Sequence, residues 1–295
     1  MSELPATESR DPATAGIDRL DSAALARALV ETHTAAVAAA LGAVDAIARA
    51  IDAVAEALAR DGRVVLVGAG TSGRLAVLDA AELPPTFGLD PARVVARVAG
   101  GEAALRAAVE GAEDDREAGA RAVADVRAGD VVIGLSASGS APYVVAALAA
   151  ARERRARTIA IVNAPETALA HAAEFAIVLA TGAEPIAGST RMRAGTAQKI
   201  ALNAISTGAM GRRGKTYGNR MVDLMATNAK LRARSERLVR ELAGDAGDPA
   251  ALLAAAGGSV KLAVVMARRG VGRAEAEELL WAAGGRLVAV IGEHG

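Results

Sequence analysis

The sequence predicts an α/β protein: a parallel sheet covered on both faces by helices, preceded by lead-in helices and followed by a small helical domain. Two observations predict it. Five short runs rich in Val, Ile and Leu lie between residues 63 and 180 (RVVLVG, RVVARVAG, DVVIGLS, RTIAIVN and FAIVLA), and stretches of helical spacing separate them. Five apolar runs separated by helices argue for a parallel sheet covered on both faces. In chain order, a polar entry segment leads into residues 21–60, where Leu, Val and Ile recur at helical spacing with almost no breakers, so two helices or one long bent helix are expected. Such a lead-in packs on a partner or a neighbouring domain. Beyond the strand region, a helix from about Arg193 meets the Gly- and Arg-rich stretch GAMGRRGKTYGNR (208–220), and a further helix is expected over 222–243. GDAGDP (244–249) reads as a linker, and 250–292 as three short helical patterns broken by Gly257-Gly258, Gly270 and Gly284-Gly285. The expected domains are therefore 1–60, 61–243 and 244–295.

Composition narrows the function classes. A chain of 295 residues, 52% hydrophobic, can bury a large core, and with only 2% aromatics that core rests on Val, Leu, Ile and Ala. Lys plus Arg equals Asp plus Glu at 34 each, so no global field attracts nucleic acid or an anionic membrane, and neither is expected as a partner. The absence of Cys removes disulfides, thiolate nucleophiles and Cys-ligated metals. MSELPATESRD lacks the apolar core of a leader, and no later apolar run reaches the roughly 18 residues of a spanning helix, so a soluble cytoplasmic protein is expected. His33, His171 and His294 fall in different segments without metal-ligand spacing, and no Ser-His-Asp arrangement stands out. No metal or other cofactor is expected, and acid-base groups should be carboxylates.

The chemistry-bearing motifs follow the first and third apolar runs. Gly68-Ala69-Gly70-Thr71-Ser72-Gly73 has the G-x-G-x-x-G spacing of a dinucleotide turn. A true dinucleotide site wants an acidic residue at the end of the second strand, whereas that run ends in Ala99-Gly100-Gly101 with Glu102 just past it, a poor match. The third run ends in a second hydroxyl-rich loop, Ser136-Ala137-Ser138-Gly139-Ser140. Either loop alone could simply cap a helix. Two such loops at the carboxyl ends of parallel strands, each feeding a helix N-terminus, fit a phosphomonoester better than a pyrophosphate. Glu82 lies near the end of the helix that the first loop opens, and Leu83-Pro84-Pro85-Thr86-Phe87-Gly88 after it reads as a stiff apolar turn, a setting that suits a general acid. The second acidic candidate is Glu113 in EGAEDDRE. Taken alone, that cluster reads first as a solvated helix start favoured by the dipole, and Glu82 alone as a surface carboxylate.

The stretches TESRDPATAGIDRLD, GAGTSGRLAVLDAAELPPTFG, GGEAALRAAVEGAEDDRE, SASGSAPYVVAAL, GSTRMRAGTAQKIALNAIST and GKTYGNRMVDLMATNAKLRARS resemble those of the bacterial N-acetylmuramic acid 6-phosphate etherases, enzymes built on the sugar isomerase (SIS) fold. The resemblance runs in order from about residue 7 to 235 and more loosely beyond. It implies an SIS-type sheet and a carbon–oxygen lyase that eliminates the lactyl ether of N-acetylmuramic acid 6-phosphate and then adds water, with no metal or redox cofactor. By motif position it implies Glu82 as the proton donor and Glu113 as the second acid, the base at C2. It further implies that Thr71, Ser72, Gly73, Ser136, Ser138 and Ser140 bind the sugar phosphate, with Ser189 and Lys199 nearby, in a homodimer whose subunits complete each other's sites. The chain departs from the family pattern at Ser140-Ala141, where an Arg-Thr pair is usual, at Arg193, where Lys is usual, and at Asp11, where Asn is usual. The Ser-Ala-Pro variant also resembles the related glucokinase regulatory proteins, which bind sugar phosphates without etherase chemistry. That likeness leaves a non-catalytic regulator as the alternative, against which the retention of Glu82 and Glu113 argues.

Overall fold

The computed structural model describes residues 6–224 and 229–293. The stretch 225–228 of the GKTYGNRMVDLMATNAKLRARS motif, and His294, lie outside the described residues. All five apolar runs are strands: β1 (Val64–Gly68), β2 (Val94–Val98), β3 (Val131–Ser136), β4 (Arg157–Val162) and β5 (Phe175–Val178). They form one sheet, every pair parallel, in the order β2-β1-β3-β4-β5. β1 and β3 are buried along their whole length, which is why their sequences do not alternate.

The order dictates where a ligand can sit. From β1 the chain first crosses to β2 on one side and then returns to β3 on the other, so β1 and β3 flank the topological switch point of the sheet. Their register sets Gly68 beside Leu135, and the loops that follow start next to each other at the carboxyl edge.

Helices cover both faces. On one, α6 (Arg116–Ala122), α7 (Pro142–Glu153) and α8 (Ala168–Ala172) bury Val144, Leu148 and Leu169 against Val65, Val67, Val132 and Val162. On the other, α3 (Val44–Ala59) lays the stripe Ile47, Ala50, Val54 and Leu58 toward β1, β3 and β5. The lead-in comprises three helices rather than two, because α1 (Ser22–Glu31) and α2 (Thr34–Gly42) are separated at Thr32–His33 and α3 follows directly. Taken across that break, Ser22–Gly42 is 21 residues long and meets the length and composition of a membrane-crossing helix, contrary to expectation. Its many alanines supply the apolar character, and Arg27, Glu31 and His33 interrupt it.

The chain divides into two compact units, one formed by Met1–Ala81 with Ala92–Ser206, the other by Glu82–Pro91 with Thr207–Gly295. In the second unit a short hairpin, β6 (Thr216–Tyr217) with β7 (Arg220–Met221), forms at the end of the Gly- and Arg-rich stretch, for which no strand was expected, and the helix expected from 222 is described only from Ala229. Helices α10 (Ala229–Ala243), α11 (Pro249–Ala255), α12 (Val260–Arg269), α13 (Arg273–Ala282) and α14 (Leu287–Ile291) share a core of Val222, Leu238, Leu242, Val264, Leu280 and Leu287. Residues 249–291 thus hold four helices where three patterns were expected. The hairpin is tied down by charge: Asp223 lies 2.9 Å from Lys215 and 2.8 Å from the buried Lys261, which also donates to the Gly285 carbonyl.

Candidate active site

The first loop turns from β1 into α4 (Gly70–Phe87). A Cβ on Gly68 would lie 2.6 Å from the backbone nitrogen of Gly73, and one on Gly73 would lie 2.8 Å from the Gly68 carbonyl oxygen, so the outer glycines of the motif are there to let strand and helix touch. Gly70, at φ +52°, makes the turn itself. Thr71 is left on the loop's open side and Ser72 is turned inward. The Ser72 hydroxyl donates to Gln198 Oε1 at 2.8 Å, Gln198 donates to Asn163 Oδ1 at 3.0 Å, and Asn163 donates to the Leu179 carbonyl. Ser72 is therefore part of a buried polar network that anchors the first loop to the first turns of the helix α9 (Arg193–Arg212).

The second loop runs from β3 to α7. Ser136, Ser138 and Ser140 are chained by their hydroxyls, with Oγ–Oγ separations of 3.5 Å and 2.8 Å, and Ser136 and Ser138 accept the N–H groups of Gly139 and Ser140. The N-cap of α7 is Ala141, which makes no side-chain cap. None of the three serines is occupied in capping the helix, so capping does not explain why they are there. Exposure rises outward along the row, from buried Ser136 through half-buried Ser138 to exposed Ser140.

Glu113 lies in a single 3₁₀ turn, Ala112–Asp114, before α6. It is exposed, and with Gly70, Thr71, Arg74, Ala99 and Val109 it lines a cleft of about 430 Å³. The far wall of the cleft is held in place by Arg74, whose guanidinium donates to the carbonyls of Ala104 and Ala107. The structure thus brings the first loop and Glu113 to one space. Ser189 and Lys199 are half-buried, Ser189 on the loop before α9 and Lys199 one residue beyond Gln198. The methyl of Thr71 sits 3.4 Å from where a Cβ on Gly195 would be, so the head of α9 packs on the first loop.

Glu82 differs from its expected setting. The helix does not end there: α4 continues to Phe87 with Pro84 and Pro85 inside it. The prolines deprive the carbonyls of Ala80 and Ala81 of helical donors, yet the Gly88 N–H closes on the Pro84 carbonyl at 2.9 Å and the last turn holds. Leu83 and Phe87 are buried and Glu82 is exposed, since neighbouring positions on a helix face different ways, so the apolar turn does not enclose its carboxyl. Among the described residues no group of three or more His, Asp or Glu is placed to hold a metal ion.

The residues that sequence reasoning missed are Gln198, Asn163 and Glu184. Asn163 ends the RTIAIVN run at the carboxyl edge of the sheet, a position that could have marked it. Glu184 is fully buried and accepts the N–H groups of Arg193 and Ala194 at 2.8 Å and 2.9 Å, capping α9 from a loop whose sequence gives no such signal.

Comparison with known proteins gives consistent results. The chain is 49% identical to the N-acetylmuramic acid 6-phosphate etherase of Deinococcus radiodurans, over 99% of this chain and 97% of that one. This chain belongs to the N-acetylmuramic acid 6-phosphate etherase family. The family's proteins from Symbiobacterium thermophilum and Escherichia coli are 49% and 43% identical, covering 90% and 97% of this chain and 89% and 97% of theirs. Within the etherase chain, residues 46–152 match the model of the glucokinase regulatory protein N-terminal SIS domain, and residues 107–207 that of the SIS domain. Among solved structures, the phosphoheptose isomerase of Francisella tularensis is 18% identical, with a TM-score of 0.49, over 65% of this chain and 100% of that one.

Proposed function

We propose that this protein cleaves the D-lactyl ether of N-acetylmuramic acid 6-phosphate, giving N-acetylglucosamine 6-phosphate and D-lactate, a step of cell-wall amino sugar recycling. The cleft that Thr71 and Glu113 line together carries the reading at the level of geometry. The 6-phosphate would lie across the switch point, against the N-termini of α4 and α7, with Thr71, Ser138 and Ser140 as hydroxyl ligands and Ser72, Gly73 and Ser136 shaping the loops beneath. Ser189 and Lys199 belong to the same sugar-phosphate site.

In the open-chain sugar the C1 aldehyde acidifies the C2 proton. Glu113, as carboxylate, removes that proton while Glu82, as carboxylic acid, protonates the departing lactyl oxygen on C3. Lactate leaves and a C2–C3 double bond forms. Glu82, now ionised, takes a proton from water whose oxygen adds to C3, and Glu113 returns its proton to C2, so both carboxyls end as they began. Division at 60/61 and 243/244 into lead-in, sugar-phosphate domain and helical domain goes with this reading. So does a homodimer, supported by the apolar residues Val37, Leu41 and Val44 that α2 and α3 leave half or more exposed. A cytoplasmic location suits a phosphorylated substrate that does not cross membranes unaided. The relatives at 43–49% identity are all named as etherases, so a non-catalytic sugar-phosphate regulator is not favoured.

The test is D-lactate release from N-acetylmuramic acid 6-phosphate by the purified protein beside Glu82→Gln and Glu113→Gln. Each variant is expected to lose at least about 10²-fold in kcat while keeping its melting midpoint. Wild-type protein that binds the sugar phosphate without freeing lactate refutes the proposal.

A further inference from the structure

Arg193 opens α9, where a cation is the wrong charge for the helix: the positive end of the dipole is there, and helix stability favours an anion. Glu184 already supplies that anion through its two N–H contacts. The guanidinium is instead turned back to gather three distant segments. Nη2 lies 2.7 Å from Asp11 Oδ2, Nη1 donates to the Ala183 carbonyl, and Nε donates to the hydroxyl and, at 3.2 Å, to the carbonyl of Thr32. Arg193 and Asp11 are only 12% and 13% exposed. Asp11 is itself held, since its other carboxylate oxygen caps a 3₁₀ turn by accepting the Ala13 N–H at 2.9 Å. The fork geometry of Arg, with each nitrogen on a different partner, is used in full.

The next turn of α9 meets the first loop. Gly195 faces the Thr71 methyl, Thr196 Oγ1 lies 3.1 Å from His33 Nδ1, and Gln198 takes the Ser72 hydroxyl. We propose that the Asp11–Arg193 pair is a positioning clamp for substrate binding: it sets the height of the α9 head against Thr71 and Ser72, although neither side chain belongs to the sugar-phosphate site itself. The inference rests on the etherase reading of that site. The clamp acts on the loop that binds the phosphate rather than on either carboxyl, so its loss raises KM and spares kcat.

The experiment compares Asp11→Ala, Arg193→Ala and the double variant in the full chain, by D-lactate release and by calorimetric binding of N-acetylglucosamine 6-phosphate, below each variant's melting midpoint. Each single change is expected to raise KM and Kd about tenfold with kcat within about twofold, and the double variant to be no worse than the poorer single one, as for two halves of one interaction. A lowered midpoint with unchanged KM and Kd overturns the clamp as a positioning device, and so do additive losses in the double variant. Wild-type protein that binds N-acetylglucosamine 6-phosphate but frees no lactate refutes the etherase reading, while Kd still scores the clamp.

Discussion

Ser72 and Ser138 are both hydroxyls beside the same switch point, and their surroundings give them opposite work. Ser72 is buried, with its proton committed to Gln198, so removing the hydroxyl strands a buried acceptor in a network that continues to Asn163. Ser138 is half-buried and shares its bonds with two serines that can regroup without it. Ser72→Ala is therefore expected to cost about 1–3 kcal/mol in chemical denaturation. Ser138→Ala should stay within about 0.5 kcal/mol and show itself in a raised KM for the sugar phosphate. Equal stability losses in the two variants would contradict this division. The sequence placed both residues in the correct loops because the G-x-G-x-x-G and Ser-x-Ser-Gly-Ser patterns are local. It could not divide their roles, because the partner of Ser72 lies 126 residues away.

The head of α9 raises the same contrast between local and distant information for a whole element. A helix of 20 residues, about 30 Å long, presents unpaired N–H groups at its start, and a fully buried carboxylate from outside the helix satisfies two of them. Glu184→Ala should destabilise the protein by about 2–3 kcal/mol in denaturant titration, and Glu184→Gln, which keeps one acceptor oxygen, by clearly less. A loss under about 0.5 kcal/mol for the Ala variant would mean that solvent takes over the cap. The central strands β1, β3 and β4 were legible because burial on both faces leaves runs of Val, Ile and Leu, a signal that needs no partner to be read, whereas β2 and β5 at the sheet edges are only partly buried. Helix ends were less legible. The break at Thr32–His33 has neither Gly nor Pro to announce it, while Pro84–Pro85 announces an end that a single closing bond from Gly88 postpones. The hairpin at 216–221 was hidden for another reason: strands of two residues are too short to show a period, and this one is held by the Lys215–Asp223–Lys261 cluster.

At the scale of the whole molecule, the two units carry buried groups that respond to alkaline pH with opposite sign. In the first unit, burial raises the pKa of the Tyr143 phenol above its usual 10.0, with Arg97 opposing and Asp115 adding to the shift. As pH passes 10.0 the unfolded phenol ionises while the folded one keeps its proton, so the folded state binds more protons and stability falls with rising pH. In the second unit, burial lowers the pKa of Lys261 below 10.5, with Asp223 opposing and Lys215 and Arg213 adding to the shift. Between its folded value and 10.5 the folded ammonium gives up its proton before the unfolded one, so the unfolded state binds more protons and stability rises with pH. The two units should therefore diverge: the second gains until about pH 10.5, where the unfolded lysine also gives up its proton and the gain levels off, while the first weakens as pH rises past 10.0. Amide exchange followed peptide by peptide, corrected for its intrinsic pH dependence, reads this directly: protection in β3 and α7 should decline while that in α12 increases. Replacing Tyr143 by Phe should flatten the first trend and leave the second, and Lys261→Met the reverse. Parallel loss of protection in both units would show that the alkaline response is set by global unfolding rather than by these two buried groups.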